Sequence, residues 1–176
     1  MAAVKEKIKE KDYEDEHFID DEEDSVQENK YLTFRIAEEI YGIDISDITE
    51  IIELQKITEV PDMPIYVKGV INLRGKVIPI MDLRLRFNMK EREHDDRTCI
   101  IIVNINETAI GFVVDTVLEV VDIPEDDIDP PPQFKTASGY EMYVSGIGKV
   151  GEDVKILLNV KKIINSNEID KITENI

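Results

Sequence analysis

The stretch of the chain that decides its fold is Val67-Lys68-Gly69-Val70-Ile71-Asn72-Leu73-Arg74-Gly75-Lys76-Val77-Ile78-Pro79-Ile80-Met81-Asp82-Leu83. Residues 67–72 and 76–82 are rich in β-branched side chains and are separated by Arg74-Gly75, which predicts a β-hairpin with a tight turn. Pro79 has no backbone N–H, so we expect the second strand to lie at a sheet edge or at a bulge.

The pattern around this hairpin occurs a second time. Residues 66–70 (YVKGV) match residues 143–147 (YVSGI), and residues 42–52 match residues 111–121 in the spacing of their apolar and acidic positions. Two copies of about five short strands predict two small barrels, roughly residues 30–97 and 98–165, which should pack closely because each is small. Whether the barrels exchange strands stays open at this point.

The spacing of apolar residues and the turn residues predict the remaining strands, loops and helix. Alternating apolar residues predict a hairpin over 31–45. The apolar spacing over 46–54 fits either a helical face or a strand, and its β-branched residues favour a short turn followed by a strand. The continuous apolar run over 99–103 indicates a central strand. Loops are expected at 61–64, 88–97 and 130–132, and helix from Val160 onward, with Ser166 as the cap of a last turn.

Charge restricts the class of partner. The chain has 21 Lys and Arg against 39 Asp and Glu, a net charge of −18, and such a surface repels nucleic-acid backbones and anionic lipid. We expect no nucleic-acid partner and no direct insertion into a membrane, since no apolar run approaches the roughly 20 residues that span a bilayer. Residues 1–29 are acidic and poor in apolar side chains, which predicts a disordered tail.

Residues of catalytic or metal-binding type are scarce. The two histidines, His17 and His94, and the single cysteine, Cys99, lie in no metal-ligand, phosphate-loop or triad motif. Residues 146–151 fit the letters of a dinucleotide-binding pattern, but no helix is expected after them to hold a phosphate. We therefore expect no enzymatic activity, no cofactor and no metal, and the lone cysteine and the polar N-terminus predict a cytoplasmic protein.

Only the first repeat carries an arginine at its hairpin turn. Asn72-Leu73-Arg74-Gly75 corresponds to a longer glycine-rich turn without arginine in the second repeat. This difference indicates a binding site on the first repeat, although a solvated turn residue would give the same pattern.

Three motifs together resemble the CheW family of bacterial chemotaxis coupling proteins: residues 41–45 (YGIDI), 67–75 (VKGVINLRG) and 77–83 (VIPIMDL). The resemblance runs from about residue 31 to residue 165. It implies a mainly β fold of two intertwined SH3-like five-stranded barrels, followed here by a helical extension over 166–176. It also implies an adaptor, monomeric when isolated, that couples the cytoplasmic tips of chemoreceptors to the C-terminal regulatory domain of the histidine kinase CheA in membrane-associated arrays.

The resemblance also implies two binding surfaces. Receptor binding is expected in the groove between the barrels, at Ile48, Glu50, Asn72, Leu73, Arg74, Gly75, Val113 and Val114. Kinase binding is expected on the outer edge of a barrel, at Lys68, Gly69, Cys99 and Ile100. Ile48 could equally be an ordinary core residue, Gly69 a backbone requirement, and Cys99 a small buried apolar residue.

Barrel closure should bring Glu50 close to Arg74. We predict that the two form an ion pair across the groove, because a guanidinium held by a carboxylate presents its remaining N–H donors in a fixed direction.

Two other functions fit parts of the sequence. The chain could be a detached regulatory module of a CheA or CheV type protein, but CheV needs a receiver domain after the barrels and CheA needs catalytic domains before them. An enzyme or small-ligand binder in the cleft between the barrels would need clustered ionisable residues in a pocket, which the sequence does not predict.

Overall fold

The computed structural model describes residues 28–132 and 140–176. Within these ranges the chain is mainly β, with two sheets of six and five strands and only short helices, which confirms the predicted fold class. The tail predicted over 1–29 lies outside the described residues up to residue 27. Glu28 and Asn29 form a turn that leads into the first strand, and the carbonyl of Asn29 accepts a hydrogen bond from Ile123 N at 2.8 Å.

Most of the strands are six or seven residues long. In chain order they are β1 (Lys30–Ile36), β2 (Glu39–Asp44), β3 (Ile48–Glu53), β4 (Val67–Leu73), β5 (Lys76–Asp82), β6 (Cys99–Ile105), β7 (Thr108–Val114), β8 (Thr116–Asp122), β9 (Ile128–Asp129), β10 (Val144–Val150) and β11 (Asp153–Leu158). The helices are α1 (Leu83–Arg86), α2 (Val160–Ile163) and α3 (Ser166–Glu174), with 3-10 turns at Ile45–Asp47, Glu125–Asp127 and Tyr140–Tyr143. In these ranges no helix has the length and apolarity needed to cross a lipid bilayer.

Each sheet combines strands from both repeats. The first sheet has the order β8-β1-β2-β11-β10-β9, and the second has the order β3-β6-β7-β5-β4. The hairpin β1–β2 of the first repeat therefore lies among strands of the second repeat, and β6–β7 lies among strands of the first. Parallel pairing of β2 with β11 and of β7 with β5 joins the pieces. The repeats have exchanged their first hairpins, which is the strand exchange that the sequence left open.

Residues after β3 close the second sheet. The backbone of Thr58 exchanges two hydrogen bonds with Val70 of β4, with N–O distances of 2.8 and 2.9 Å. The two-residue strand β9 does the same for the first sheet, because it follows β8 at one edge and pairs with β10 at the other. Both sheets are thus closed toward barrels at equivalent places in the two repeats.

Two apolar cores form around these sheets. The larger core lies between the sheets and includes the fully buried rings of Phe34 from β1 and Phe112 from β7. The smaller core belongs to the second sheet and includes Ile80 and Ile100. Alternate residues of β6 point into different cores, so β6 is buried on both faces, and the central strand predicted from its continuous apolar run is confirmed.

The position of β5 differs from the prediction. β5 lies between β4 and β7, so it is not an edge strand and that part of the prediction is wrong. β5 begins to pair with β7 only at Ile80, whereas Pro79 lies opposite Val70 of β4. The proline therefore stands where the strand has one neighbour, and its missing N–H breaks no ladder on the other side.

The cap of the last helix also differs. Asn165, not Ser166, caps α3: its side-chain oxygen accepts a hydrogen bond from Glu168 N at 2.9 Å, and Asn165 N donates to Glu168 Oε2 at 3.1 Å. This reciprocal arrangement is a capping box, and it satisfies two backbone donors that the first helical turn leaves free.

Candidate functional site

Glu50 and Arg74 form the ion pair that the sequence predicts. Glu50 lies on β3 and Arg74 lies on the turn between β4 and β5. Arg74 Nη1 is 2.7 Å from Glu50 Oε1, and Arg74 Nη2 is 3.0 Å from Glu50 Oε2. Two parallel N–H···O bonds fix both the distance and the plane of the guanidinium, which a single contact cannot do.

The turn itself is shaped to present Arg74. Arg74 and Gly75 have φ angles of 52° and 83°, so both residues of this two-residue turn are in the left-handed region that fits the twist of a β-hairpin. Asn72 Oδ1 accepts a hydrogen bond from Gly75 N at 2.9 Å. Gly75 takes the left-handed backbone at little cost, whereas Arg74 is held there by the turn and by Glu50.

Each member of the pair stabilises the charged form of the other. The hydrogen bond from Arg74, together with its charge, lowers the pKa of Glu50 against a smaller opposing effect of burial, and the same contact raises the pKa of Arg74. The side chain of Arg74 is 73% exposed, whereas that of Glu50 is 27% exposed. The carboxylate therefore acts as the anchor, and the guanidinium faces solvent with donors to spare.

The pair lies within one sheet, not between the two. β3 and β4 are the outermost strands of the second sheet, and the Thr58–Val70 bridge brings those two edges together. Glu50 and Arg74 thus span the seam where this barrel closes. The sequence predicts that they face each other across a groove between the barrels, but in the structure they lie at the closing seam of one barrel.

Ile48 lies at the junction of the two sheets. It follows the 3-10 turn Ile45–Asp47, which contacts β1 of the first sheet and β6 of the second. Its side chain is half-buried and packs against the larger core. Ile48 is therefore partly a core residue and partly accessible at the surface. It lies two residues before Glu50 on β3.

Val113 and Val114 lie in the core. They are 4% and 1% exposed, because β7 is an inner strand with a core on each face. Neither side chain offers surface to a partner at these positions, and so the predicted apolar row does not include them. Leu73, by contrast, is half-buried beside Arg74 at the end of β4.

Exposed apolar residues occur on the edge strands instead. Leu118 and Val120 on β8 are 41% and 52% exposed, and Ile51 on β3 is 42% exposed. Val120 and Ile51 occupy the same place in the two repeats, as do the half-buried Val117 and Ile48. Alignment of the repeats could have identified β8 as a candidate binding strand, because it matches Val117, Leu118 and Val120 with positions 48, 49 and 51 around Glu50.

The four residues predicted at the kinase edge do not form one patch. Ile100 is fully buried in the smaller core. Lys68 on β4 and Cys99 on β6 are both half-buried, and their strands are not neighbours in the sheet, because β5 and β7 lie between them. The Cys99 thiol is free and donates to the carbonyl of Arg97 at 3.3 Å. Lys68 contacts the carboxylate of Glu91 on the loop that follows α1.

Gly69 meets a backbone requirement. Its φ is 141°, and a Cβ at this position would lie 2.0 Å from the carbonyl oxygen of Thr58. Since Thr58 closes the barrel through its bridge to Val70, the absence of a side chain at Gly69 allows that closure.

A buried charged pair lies where the two sheets meet. Asp115 connects β7 of the second sheet to β8 of the first, and its carboxylate accepts hydrogen bonds from Arg84 Nε at 2.7 Å and Nη2 at 2.5 Å. Ala37 N, in the β1–β2 turn, donates to the same carboxylate at 2.8 Å. Burial acts to raise the pKa of Asp115, but these hydrogen bonds and the charges of Arg84 and Arg92 outweigh it and lower the pKa.

A second arginine joins the terminal helix to both repeats. Arg86 donates through Nη2 to both carboxylate oxygens of Glu168, at 3.1 and 3.0 Å, and through Nε to the carbonyl of Ile163 at 2.8 Å. Its guanidinium lies over the rings of Tyr66 and Tyr143, which occupy equivalent places in the two repeats. Arg86 therefore has a structural role near the local symmetry axis of the repeats.

Across residues 28–132 and 140–176, no three His, Cys, Asp or Glu side chains are grouped so that they could hold a metal ion.

Comparison with known proteins gives one consistent result. A family model described as the CheW-like domain matches residues 30–168. The chain is 36% identical over 140 residues to the chemotaxis protein CheW of Klebsiella aerogenes, covering 80% of this chain and 84% of that protein. It is 36% identical over 146 residues to CheW of Helicobacter pylori, covering 83% and 87%. The crystal structure of the scaffolding protein TtCheW from Thermoanaerobacter tengcongensis is similar with a TM-score of 0.73 and 38% identity, over 80% of this chain and 94% of that one.

Proposed function

This chain belongs to the CheW-like family, and from that premise we propose that it is a non-enzymatic adaptor that couples the cytoplasmic tips of chemoreceptors to the histidine kinase CheA. The proposal includes a cytoplasmic location and recruitment to membrane-associated receptor arrays. The observation that carries it is the bidentate Glu50–Arg74 pair, because it holds a solvent-facing guanidinium on a turn that only the first repeat decorates.

Receptor binding is assigned to the surface around this pair. Arg74 supplies directed donors, and the half-buried Ile48 and Leu73 supply apolar contact on either side. A helical receptor tip needs this combination of an apolar row and a polar anchor. The exposed apolar residues of β8, Leu118 and Val120, take the place of Val113 and Val114 as candidate apolar contacts, because they are the repeat counterparts of the positions on either side of Glu50.

Kinase binding is assigned to the β4 side of the second sheet. Lys68 is the member of the predicted set that keeps a charged group at the surface, while Gly69 and Ile100 support it from within the barrel. Two partners bound on separate surfaces can be held at once, which is what coupling requires.

The experiment compares Arg74→Ala with Lys76→Ala, an exposed cation at the start of β5 that serves as the charge-matched control. Each variant is titrated with a receptor-tip fragment and, separately, with the C-terminal domain of CheA. We expect Arg74→Ala to weaken receptor binding about tenfold or more, as loss of a central anchor does, while kinase binding and the melting temperature barely change.

Two results test the geometry further. Glu50→Ala should weaken receptor binding less than Arg74→Ala does, since the arginine survives but loses its orientation. Exchanging the two charges should restore a pair but not the direction of the donors, so receptor binding should stay weak. Receptor binding of Arg74→Ala equal to that of Lys76→Ala would reject the proposed site.

A further inference from the structure

The loop between α1 and β6 has a local hydrogen-bonded turn at each end. At its start, Met89 N donates to the carbonyl of Arg84 of α1 at 2.8 Å. At its end, Asp95 Oδ1 accepts from Arg97 N at 2.8 Å, and Thr98 N donates to the carbonyl of Asp95 at 3.2 Å. These turns leave residues 91–94 as the segment between them.

The middle of the loop, residues 91–94, is held by charged side chains. Glu91 Oε1 contacts Lys68 Nζ, and His94 Nε2 lies 4.0 Å from Asp82 Oδ2. Arg92 contacts Asp95 at 2.7 Å and Asp115 at 3.5 Å. Glu91 and Arg92 are largely solvent-exposed, at 61% and 49% of their side-chain surface. Exposed ion pairs are weak and are screened by salt, so the contacts of Glu91 and Arg92 hold this segment only weakly.

Lys68 is the residue that these contacts occupy. Its side chain is 26% exposed, its ammonium contacts the carboxylate of Glu91, and its charge lowers the pKa of the buried Asp82 against the effect of burial. The same ammonium is the charged group that the proposed kinase surface presents. Because the carboxylate of Glu91 already contacts Lys68, it competes with any carboxylate of a partner for the same ammonium group.

We propose that residues 91–94 form a displaceable strap, in which Glu91 occupies Lys68 until an acidic side chain of the kinase partner replaces it. This inference rests on the proposed function, because it concerns regulation of the proposed kinase-binding surface. The strap lowers the affinity for the partner, because the partner must displace the carboxylate of Glu91 before its own carboxylate can bind Lys68. It also favours partners that have a carboxylate at that position.

The test compares Glu91→Gln with Glu93→Gln in the full chain. Both substitutions remove one negative charge from the same loop, but in the described part of the chain only Glu91 contacts Lys68. The probe is the C-terminal domain of CheA, titrated at low and at physiological salt. We expect Glu91→Gln to tighten binding about two- to five-fold at low salt, the range that an exposed ion pair supplies, and Glu93→Gln to change it by less.

A double-mutant cycle decides whether Lys68 is the contested group. Lys68→Gln should weaken binding, and adding Glu91→Gln to it should bring no further change, since the competition has already been removed. A gain from Glu91→Gln that persists in the Lys68→Gln background would overturn the proposal, as would equal effects of Glu91→Gln and Glu93→Gln.

Amine labelling separates this inference from the proposed function. With no partner present, the Lys68 amine should be acetylated faster by acetic anhydride in Glu91→Gln than in the parent, because the carboxylate that contacts it has been removed. If the parent does not bind the CheA domain at all, the proposed function fails, and the labelling data still decide whether Glu91 covers Lys68. Faster labelling with unchanged affinity for a partner that does bind would show a loop contact without competition, and would refute the strap.

Discussion

At the scale of single residues, Arg74 depends on restraints from three directions. The two-residue turn sets its backbone, Asn72 secures that turn through Gly75 N, and Glu50 holds the guanidinium from a neighbouring edge strand. We therefore expect substitution of Asn72 or Gly75 to act on the proposed receptor surface through Arg74, not through contacts of their own.

Asp82 offers a residue-scale prediction about pH. Burial raises the pKa of Asp82, against the hydrogen bonds from Arg84 N and Leu85 N and the charges of His94 and Lys68, which lower it. Its repeat equivalent, Asn159, caps α2 in the same way as Asp82 caps α1, with an Oδ1 to Lys161 N distance of 3.0 Å. An asparagine at position 82 should therefore keep the cap without the buried charge.

We expect Asp82→Asn to be more stable than the parent at pH 7. A carboxyl group whose pKa is raised in the folded state costs stability when ionised, and that cost appears as the pH rises through the folded pKa. The advantage of the variant should shrink as the pH falls below about 4, where the carboxyl is protonated in both states. Denaturant midpoints measured from pH 3 to pH 8 test this, and an advantage independent of pH would contradict it.

At the scale of elements, Gly69 and Gly75 test what closes the barrel. Both have positive φ, but a Cβ at Gly69 would overlap the Thr58 carbonyl, whereas a Cβ at Gly75 meets nothing within 4 Å. Gly75→Ala should cost only the backbone strain of about 1 kcal/mol. Gly69→Ala should cost about 3 kcal/mol or more because it forces the Thr58–Val70 bridge apart.

Chemical denaturation of the two glycine variants measures this difference directly. Receptor and kinase binding should both fall with the fold in Gly69→Ala, so a substitution at this position cannot report on a kinase contact. Equal destabilisation of the two variants would mean that the bridge contributes little to closure.

Local patterns were sufficient to predict most elements and the central contact of the site. The hairpin around Asn72–Gly75 follows from composition and turn residues, and Glu50 was paired with Arg74 because closure of a small barrel leaves few places for either. The resemblance placed Val113 and Val114 at the receptor surface, but it carries over a position in a strand and not its exposure, and here both faces of β7 meet a core.

Two further differences have the same origin in tertiary context. Pro79 is tolerated inside a sheet because β7 begins to pair one residue later, which depends on the length of a strand from the other repeat. The exchange of first hairpins is equally invisible, since β1–β2 has the same alternation whether it pairs with its own repeat or the other one. Only the order of strands distinguishes those two topologies.

At the scale of the whole molecule, Asp115 is the charged residue that ties the sheets together. It links β7 to β8, and its carboxylate accepts a hydrogen bond from Ala37 N in the β1–β2 turn. The same carboxylate pairs with Arg84 of α1, and both side chains are largely buried. Asp115→Ala leaves Arg84 without the carboxylate that accepts its hydrogen bonds, and removal of one partner of a largely buried pair is far more damaging than loss of an exposed pair.

We expect Asp115→Ala to lower the free energy of unfolding at pH 7 by about 3 kcal/mol. Because the pKa of Asp115 is lowered in the folded state, its contribution is present above its unfolded pKa of about 4 and is lost as the pH falls through the folded pKa. Thermal melts of parent and variant should therefore converge in acid. Lys30→Ala, which removes the exposed pair with Asp122, is the control and should change the melting temperature little.

The exchange of first hairpins also governs when the chain can fold during its synthesis. β1 ends at residue 36, but its outer neighbour β8 begins only at residue 116, and β2 must wait for β11. At a translation rate of about 5–20 residues per second, the first hairpin leaves the ribosome several seconds before any of its neighbours. Strands β3, β4 and β5 likewise wait for β6 and β7, so neither barrel can form from a half-made chain. The nascent protein must carry unpaired strand edges until its second repeat emerges, and factors that shield such edges on the ribosome matter more for it than for a protein whose repeats fold one after the other.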